Sequence, residues 1–208
     1  MTEKRAFDVE SPAAWTSVCK NYAVHPCTTQ NDLKEVWKID TTEYGDMNVD
    51  FSLLHNWWEK FPYGHYVIKK GDEVIGGLGI WPLSKSSYQG LLKGKIIESE
   101  MSICKPRRGA ETVYWYISGM ILKTNYRRKR AVWCLIRQVM VHWYTTQAVA
   151  HKTIVLGTIP ISKEGLDMVT RFAFHPTFSA EQRKDHYPFY EKKITHDAVD
   201  LFYKEFKM

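Results

Sequence analysis

The chain has 208 residues, 44% of them hydrophobic, 25% charged and 14% aromatic. That composition excludes a disordered or collagen-like chain and fits a single domain, residues 1–208, with a sizeable core. The net charge of +6 suits an anionic ligand, an acidic protein partner or nucleic acid, and does not choose among them. The four cysteines, Cys19, Cys27, Cys104 and Cys134, are scattered with no C-x-x-C pair. Reduced thiols are therefore expected, with neither a zinc site nor a disulfide framework. The opening MTEKRAFDVE has no apolar signal core, and no run approaches the roughly 18 apolar residues of a membrane span. A cytoplasmic location without membrane contact is expected.

In chain order, Ser11 and Pro12 are suited to the N-cap and first turn of a helix running to about Tyr22. YAVHPCT reads as a short strand. Thr29, with Asp32 three residues on, caps a second helix whose stripe carries Leu33, Val36, Trp37 and Asp40. EYGDMN ends it. Phe51 to Lys60 forms another helix with an apolar side of Leu54, Trp57, Trp58 and Phe61, ended by PYG. Trp57 and Trp58 read as core or as the lining of a pocket.

His65 to Lys69 and Glu73 to Trp81 form a hairpin about a Lys70-Gly71-Asp72 turn. Gly76, Gly77 and Gly79 mark a bulge or close packing, since no helix start follows them. A helix is expected from about Lys85 to Leu92, then a polar loop from Cys104 to Glu111. From Thr112 the chain reads TVYWYISGMIL, a strand with bulk on both faces, as in a sheet covered on both sides. A basic turn, Arg127 to Arg130, leads into a long helix reaching toward Ala150. Its stripe is Val132, Leu135, Ile136, Val139, Met140 and Trp143. Cys134 within it reads as a small buried residue, not a nucleophile.

Thr153 to Thr158 is a short buried strand. Ser162 caps a helix carrying Leu166, Val169 and Phe172. FAFHPTF turns out of it. Asp185 to Ile194 is a strand interrupted at Pro188, and a last helix begins at Thr195 or Asp197 and runs to about Phe206. The order predicts an α/β fold with a mixed, partly parallel sheet flanked by helices on both faces.

A strand feeding a helix through a basic turn is a candidate anion site, because free N–H groups and the helix dipole attract phosphate. The RRKR run also reads as a solvated charged turn, a nucleic-acid patch or a nuclear-import-like cluster. His142 and His151 have no paired ligand and are given no metal role.

With GMILKTNYRRKRAVWCLI between strand and long helix, and with TTQNDLKEVWKIDTTEYG, HYVIKKGDEVIGGLGIWPL and SKEGLDMVTRFAF around it, the chain resembles the GNAT N-acetyltransferase superfamily from about Val24 to Ile194. The family's acyl-CoA motif has Arg or Gln, two residues, Gly, one residue, then Gly or Ala. Arg127 fits it. Arg130 and Val132 stand where the family has small residues. The resemblance implies that acetyl-CoA or another acyl-CoA binds with its pyrophosphate on the turn formed by Arg127, Arg128, Lys129, Arg130, Ala131 and Val132. Its pantetheine would lie on backbone groups of Met120, Ile121 and Leu122. Ser162 takes the place of an Asn common at the fourth helix. An amine then attacks the thioester directly, with a base to take its proton and an N–H to hold the oxyanion.

The family's frequent Glu on the central strand aligns to Ser118, and its frequent Tyr to Val169. The base and acid must therefore come from elsewhere, and Glu98, Glu100 and His175 are the candidates. A solvated loop charge or a surface histidine is the bland alternative for each. Tyr187 and Tyr190 are weaker candidates for the acid, with aromatic packing as their ordinary role. The expected activity is N-acetyl transfer to a small-molecule amine or a peptide. An inactive CoA-binding module and a nucleic-acid-binding protein stay open as alternatives, the latter being the weaker. A homodimer is compatible with the sequence.

Overall fold

The computed structural model describes residues 19–45, 49–127, 130–148 and 150–195. Seven strands form one sheet: β1 (Ala23–Pro26), β2 (His65–Lys70), β3 (Glu73–Leu83), β4 (Thr112–Leu122), β5 (Thr153–Thr158), β6 (His175–Phe178) and β7 (Phe189–Thr195). Their spatial order is β1-β2-β3-β4-β5-β7-β6. Among the described residues only β4 and β5 run parallel, from Thr112 opposite Thr153 to Ile117 opposite Thr158. The expectation of a mixed, partly parallel sheet holds. The five α-helices among the described residues are α1 (Gln30–Tyr44), α2 (Phe51–Lys60), α3 (Lys85–Leu92), α4 (Arg130–Trp143) and α5 (Lys163–Arg171).

Local chemistry sets these boundaries. The Thr29 side chain accepts from the Asp32 N–H, Ser84 from Ser87 and Ser162 from Gly165, which caps α1, α3 and α5. Gly45, at φ 57°, ends α1 where a side chain would be strained. Helices cover both faces of the sheet. On one face Trp81 of β3 meets Trp57 of α2 at 5.7 Å, and α1 lies over Gly77, whose missing Cβ leaves room for Val36. On the other, Trp115 of β4 meets Trp143 of α4 edge-on at 5.4 Å. Trp57 is core, whereas Trp58 is part-buried and donates its ring N–H to the Cys27 carbonyl.

Several expectations change. The α4 stripe is buried as expected at Leu135, Ile136, Val139, Met140 and Trp143, and Cys134 is buried too, but at its start Ala131 is buried in place of the part-buried Val132. The helix ends at Trp143 and continues as a π-helical turn, Tyr144–Ala148. Leu166 faces solvent at 39% exposure, leaving Val169 as the buried anchor of α5. FAFHPTF is not only a turn: His175–Phe178 is the edge strand β6. Pro176 hid it, yet an edge strand tolerates proline because one row of N–H groups has no partner to lose. The last strand starts after Pro188, because residues 183–187 are held by the buried Arg183. Its guanidinium pairs with Asp185 and donates to the carbonyls of Leu91 and Leu92. The expected helix before Tyr22 and the final helix after Thr195 lie almost wholly outside the described residues.

The expectation of four reduced thiols is also corrected. Cys19 and Cys134 are joined by a disulfide across a sequence separation of 115, tying the chain ahead of β1 to α4. Cysteines that far apart leave no local spacing signal. Cys27 is a buried free thiol and Cys104 an exposed one.

Candidate active site

The site begins where β4 and β5 part. Their pairing stops at Ile117 and Thr158, and the Thr158 hydroxyl closes the junction by donating to the Ile117 carbonyl at 2.9 Å. β4 continues to Leu122, paired on its other side with β3 as far as Gly76. Among the described residues no strand lies along the remaining edge of Ser118 to Leu122. A β-bulge sits at this point: Gly79 faces Gly119 and Ile80 faces Ile117, so Ser118 is the extra residue. Gly119 is exposed, Met120 part-buried, and Ile121 and Leu122 buried. An unpaired strand edge of this kind offers backbone donors and acceptors to an extended ligand.

The crossover from β4 through α4 to β5 brings the starts of α4 and α5 to the carboxyl ends of these two strands. Ligands of open α/β sheets collect at such an opening. Arg130 is exposed at the start of α4, Ala131 is fully buried and Val132 part-buried. Arg128 and Lys129 lie outside the described residues. Arg127 is not a free cation. Its guanidinium pairs with Glu43 of α1 at 2.5 Å and donates to the Leu122 carbonyl at 2.9 Å. The second Glu43 oxygen accepts from the Thr124 hydroxyl at 3.0 Å. Arg127 thus ties the basic turn to α1. Ser162 caps α5, its hydroxyl accepting from the Gly165 N–H at 3.0 Å. These elements converge electrostatically. Burial pushes the Tyr44 hydroxyl up, Asp40 adds to the rise, Arg127 opposes it, and Glu43 and Glu164 add further.

A carboxyl shifted into the neutral range lies on the α1 face, beside a residue two before the bulge. Tyr116 stands opposite Trp81 in register and so shares its face. Its hydroxyl donates to Glu98 Oε2 at 3.3 Å. Burial pushes the Glu98 carboxyl up to about 8; the Tyr116 hydrogen bond opposes this and the Asp40 carboxylate adds to it. Asp40 itself is pushed up to about 6 by burial. The Tyr116 phenol is driven well above its ordinary value by burial and then by Glu98, so it stays a donor. A carboxyl near 8 can accept and return a proton at working pH, which an ordinary glutamate does poorly.

The other two candidate bases stand apart from this group. Glu100 is exposed and accepts from the Ile97 N–H at 2.9 Å, closing its own turn. His175 is exposed on β6, at the far edge of the sheet beyond β5 and β7. Of the three, only Glu98 meets the central strand.

Sequence reading did not single out Asp40 or Tyr116 as site residues. Asp40 left a signal, being a carboxylate on the apolar stripe of α1 after Leu33, Val36 and Trp37. Tyr116 left none, since an aromatic among aromatics in a buried strand reads as packing.

No protein-family model and no curated protein matches the chain. Solved structures do. The loading GNATL domain of CurA from Lyngbya majuscula is similar at TM-score 0.60 and 8% identity, over 82% of this chain and 96% of that one. A chain of the NatC complex bound to Gag peptide and CoA is similar at 0.58 and 10%, over 84% and 98%. Ard1 from Thermoplasma volcanium is similar at 0.56 and 12%, over 84% and 97%. The likeness runs over more than four-fifths of this chain and nearly the whole of each of those, and the chain has the fold of the GNAT N-acetyltransferases.

Proposed function

We propose that this chain is an acyl-CoA-dependent N-acyltransferase that passes an acetyl group from acetyl-CoA, or another short acyl group, directly to an amine. The observation that carries it is the opening of β4 from β5 at Ser118, with Tyr116 of the same strand, just before it, bonded to Glu98. The NatC structure was solved with CoA and a peptide, which supports both an acyl-CoA donor and a peptide or small-molecule amine as acceptor.

In this reading the free edge from Gly119 to Leu122 holds the pantetheine by backbone hydrogen bonds. The N–H groups at the start of α4, from Arg130 to Val132, receive the pyrophosphate, with Arg130 adding charge. Arg127 shapes the turn through Glu43 and does not grip phosphate. Glu98 takes a proton from the acceptor ammonium, either directly or through water. The neutral amine nitrogen bonds to the thioester carbonyl carbon, a backbone N–H at the bulge steadies the oxyanion, the nitrogen loses its extra proton, and the C–S bond breaks to release the thiolate, which takes up a proton from solvent. Tyr116 holds the Glu98 carboxyl and tempers its basicity. Asp40, with a carboxyl lower than that of Glu98, keeps negative charge at neutral pH and favours an ammonium entering the site.

Thiol release from acetyl-CoA across a panel of amines and N-terminal peptides tests this reading. Release that depends on one class of acceptor supports it. Acetyl-CoA that stabilises the protein against heat without turnover on any acceptor would leave a binding module. No stabilisation at millimolar acetyl-CoA would refute both. Nucleic-acid binding that falls steeply with salt and is not displaced by CoA would favour the basic-surface alternative.

A further inference from the structure

We propose that the Ser118 hydroxyl is a catalytic hydrogen-bond donor aimed at the carbonyl oxygen of the acyl group received at the β4–β5 opening. The inference rests on the acyl-transfer reading of that opening and names a residue of the same site.

A serine hydroxyl has one proton to give and can accept two. The indole N–H of Trp81 can only donate, and it donates to Ser118 Oγ at 3.1 Å. Ser118 therefore spends acceptor capacity on Trp81 and keeps its own proton. Among the described residues that proton has no acceptor. The oxygen is fixed because its partner is fixed: Trp81 is fully buried, with its ring 5.7 Å from Trp57 and 6.1 Å from His65. By contrast, the buried indoles of Trp115 and Trp143 find no hydrogen-bond partner among the described residues.

The backbone is shaped around this hydroxyl. Ser118 is the extra residue of the bulge, which turns its side chain toward Trp81 and Gly79. A Cβ at Gly79 would lie 2.2 Å from Ser118 Oγ, so only glycine opposite leaves the hydroxyl its place. On the open side the next residue, Gly119, is exposed, and a Cβ built there would meet nothing within 4 Å. A donor held from behind by a buried indole, beside open space where two strands part, is suited to a carbonyl oxygen that gains negative charge. Because the Trp81–Ser118 bond is already formed in the protein alone, little reorganisation is needed when that charge develops.

The test uses acetyl-CoA labelled with carbon-13 at the thioester carbonyl, bound to the full chain and to its Ser118→Ala and Ser118→Thr variants. The expected result is a downfield carbonyl resonance on the wild-type protein, largely lost in Ser118→Ala and kept in Ser118→Thr, with acetyl-CoA affinity unchanged within about twofold. With a working acceptor, kcat should fall in Ser118→Ala by about tenfold to a hundredfold, in the range of a lost oxyanion donor or somewhat below it. Equal carbonyl shifts in wild type and Ser118→Ala would overturn the role of Ser118 and leave acyl-CoA binding standing. Absence of any bound signal in the wild type, with no thermal stabilisation, would overturn the acyl-CoA reading and this inference with it. Circular dichroism of each variant identifies loss by misfolding.

Discussion

Two polar pairs pack against this sheet, and loss of contact with water has opposite consequences for them. Cys27 and His65 meet at 3.7 Å, with the thiol 1% and the imidazole 8% exposed. Burial pushes the thiol far up, with Asp32 adding to it, and pulls the imidazole down to about 4. At neutral pH both are uncharged, so the arrangement resembles a nucleophile and its base yet has neither thiolate nor imidazolium. Glu98 and Tyr116 meet at 3.3 Å. There burial raises a carboxylate from 4.5 to about 8, into the range where it exchanges protons. The same physics silences one pair and tunes the carboxyl of the other, because burial favours the neutral form: it moves the thiol and the imidazole away from neutral pH and the carboxyl toward it. Position reinforces the difference. Cys27 and His65 lie at the β1–β2 end under α1 and α2, whereas Glu98 is part-exposed beside the strand that opens.

The sharpest way to break this contrast is Glu98→Gln. Loss of a general base is expected to lower kcat/KM by about 10²–10⁴-fold. The wild-type to variant ratio should rise with pH and level off above about 8, and taking the ratio cancels the acceptor's own titration. A ratio independent of pH would remove Glu98 from proton transfer. Stability should move the other way. A carboxyl held above its ordinary value binds its proton more tightly folded than unfolded, so its contribution is greatest below pH 4.5 and is lost as pH rises through about 8. Glu98→Gln should therefore melt above the wild type at pH 9, with the gap closing toward pH 4.5.

Smaller effects come from the groups around Glu98. Tyr116→Phe removes a hydrogen bond that lowers the Glu98 carboxyl, so the rising limb of the pH profile should move to higher pH, with a rate loss of about tenfold at pH 7. Asp40→Asn removes a charge that raises it, so the limb should move to lower pH. Opposite displacements place both residues in one electrostatic group. Displacements of the same sign would dissolve that group.

The sequence carried much of this frame where punctuation was local. Phe51–Lys60, Lys85–Leu92 and Thr153–Thr158 were legible to the residue, because caps, prolines and short apolar runs fix their ends. The opening at Ser118 follows from a strand longer than its parallel partner, and 11 residues against 6 could be counted from the sequence. Other features depended on distant chain. Arg127 reads as a phosphate ligand from its place in the basic turn, and only the fold shows that Glu43, on a helix more than 80 residues earlier, pairs with it. β6 was masked by the proline that its edge position tolerates. Asp40 was visible on an apolar stripe, but only the fold brings its charge to Glu98.

The smallest functional effect belongs to the silent pair, and it also bears on the disulfide. Cys27→Ala should leave kcat/KM unchanged and cost on the order of 1 kcal/mol of stability, since it deletes one small buried group with a weak contact. A loss of activity as large as that of Glu98→Gln would reverse the ranking of the two pairs. Thiol titration gives the complementary measurement. In the native protein only the exposed Cys104 should react at once, with Cys27 shielded. Unfolding without reductant should expose two thiols if Cys19 and Cys134 are bonded, and four if they are not. Four would return the molecule to the reduced state expected from its scattered cysteines. Two would mean that α4 is tethered to the segment before β1, closing a loop whose cross-link stabilises by up to about 5 kcal/mol on chain entropy alone. In that case reductant should lower the melting temperature of the wild type and leave Cys134→Ser unmoved.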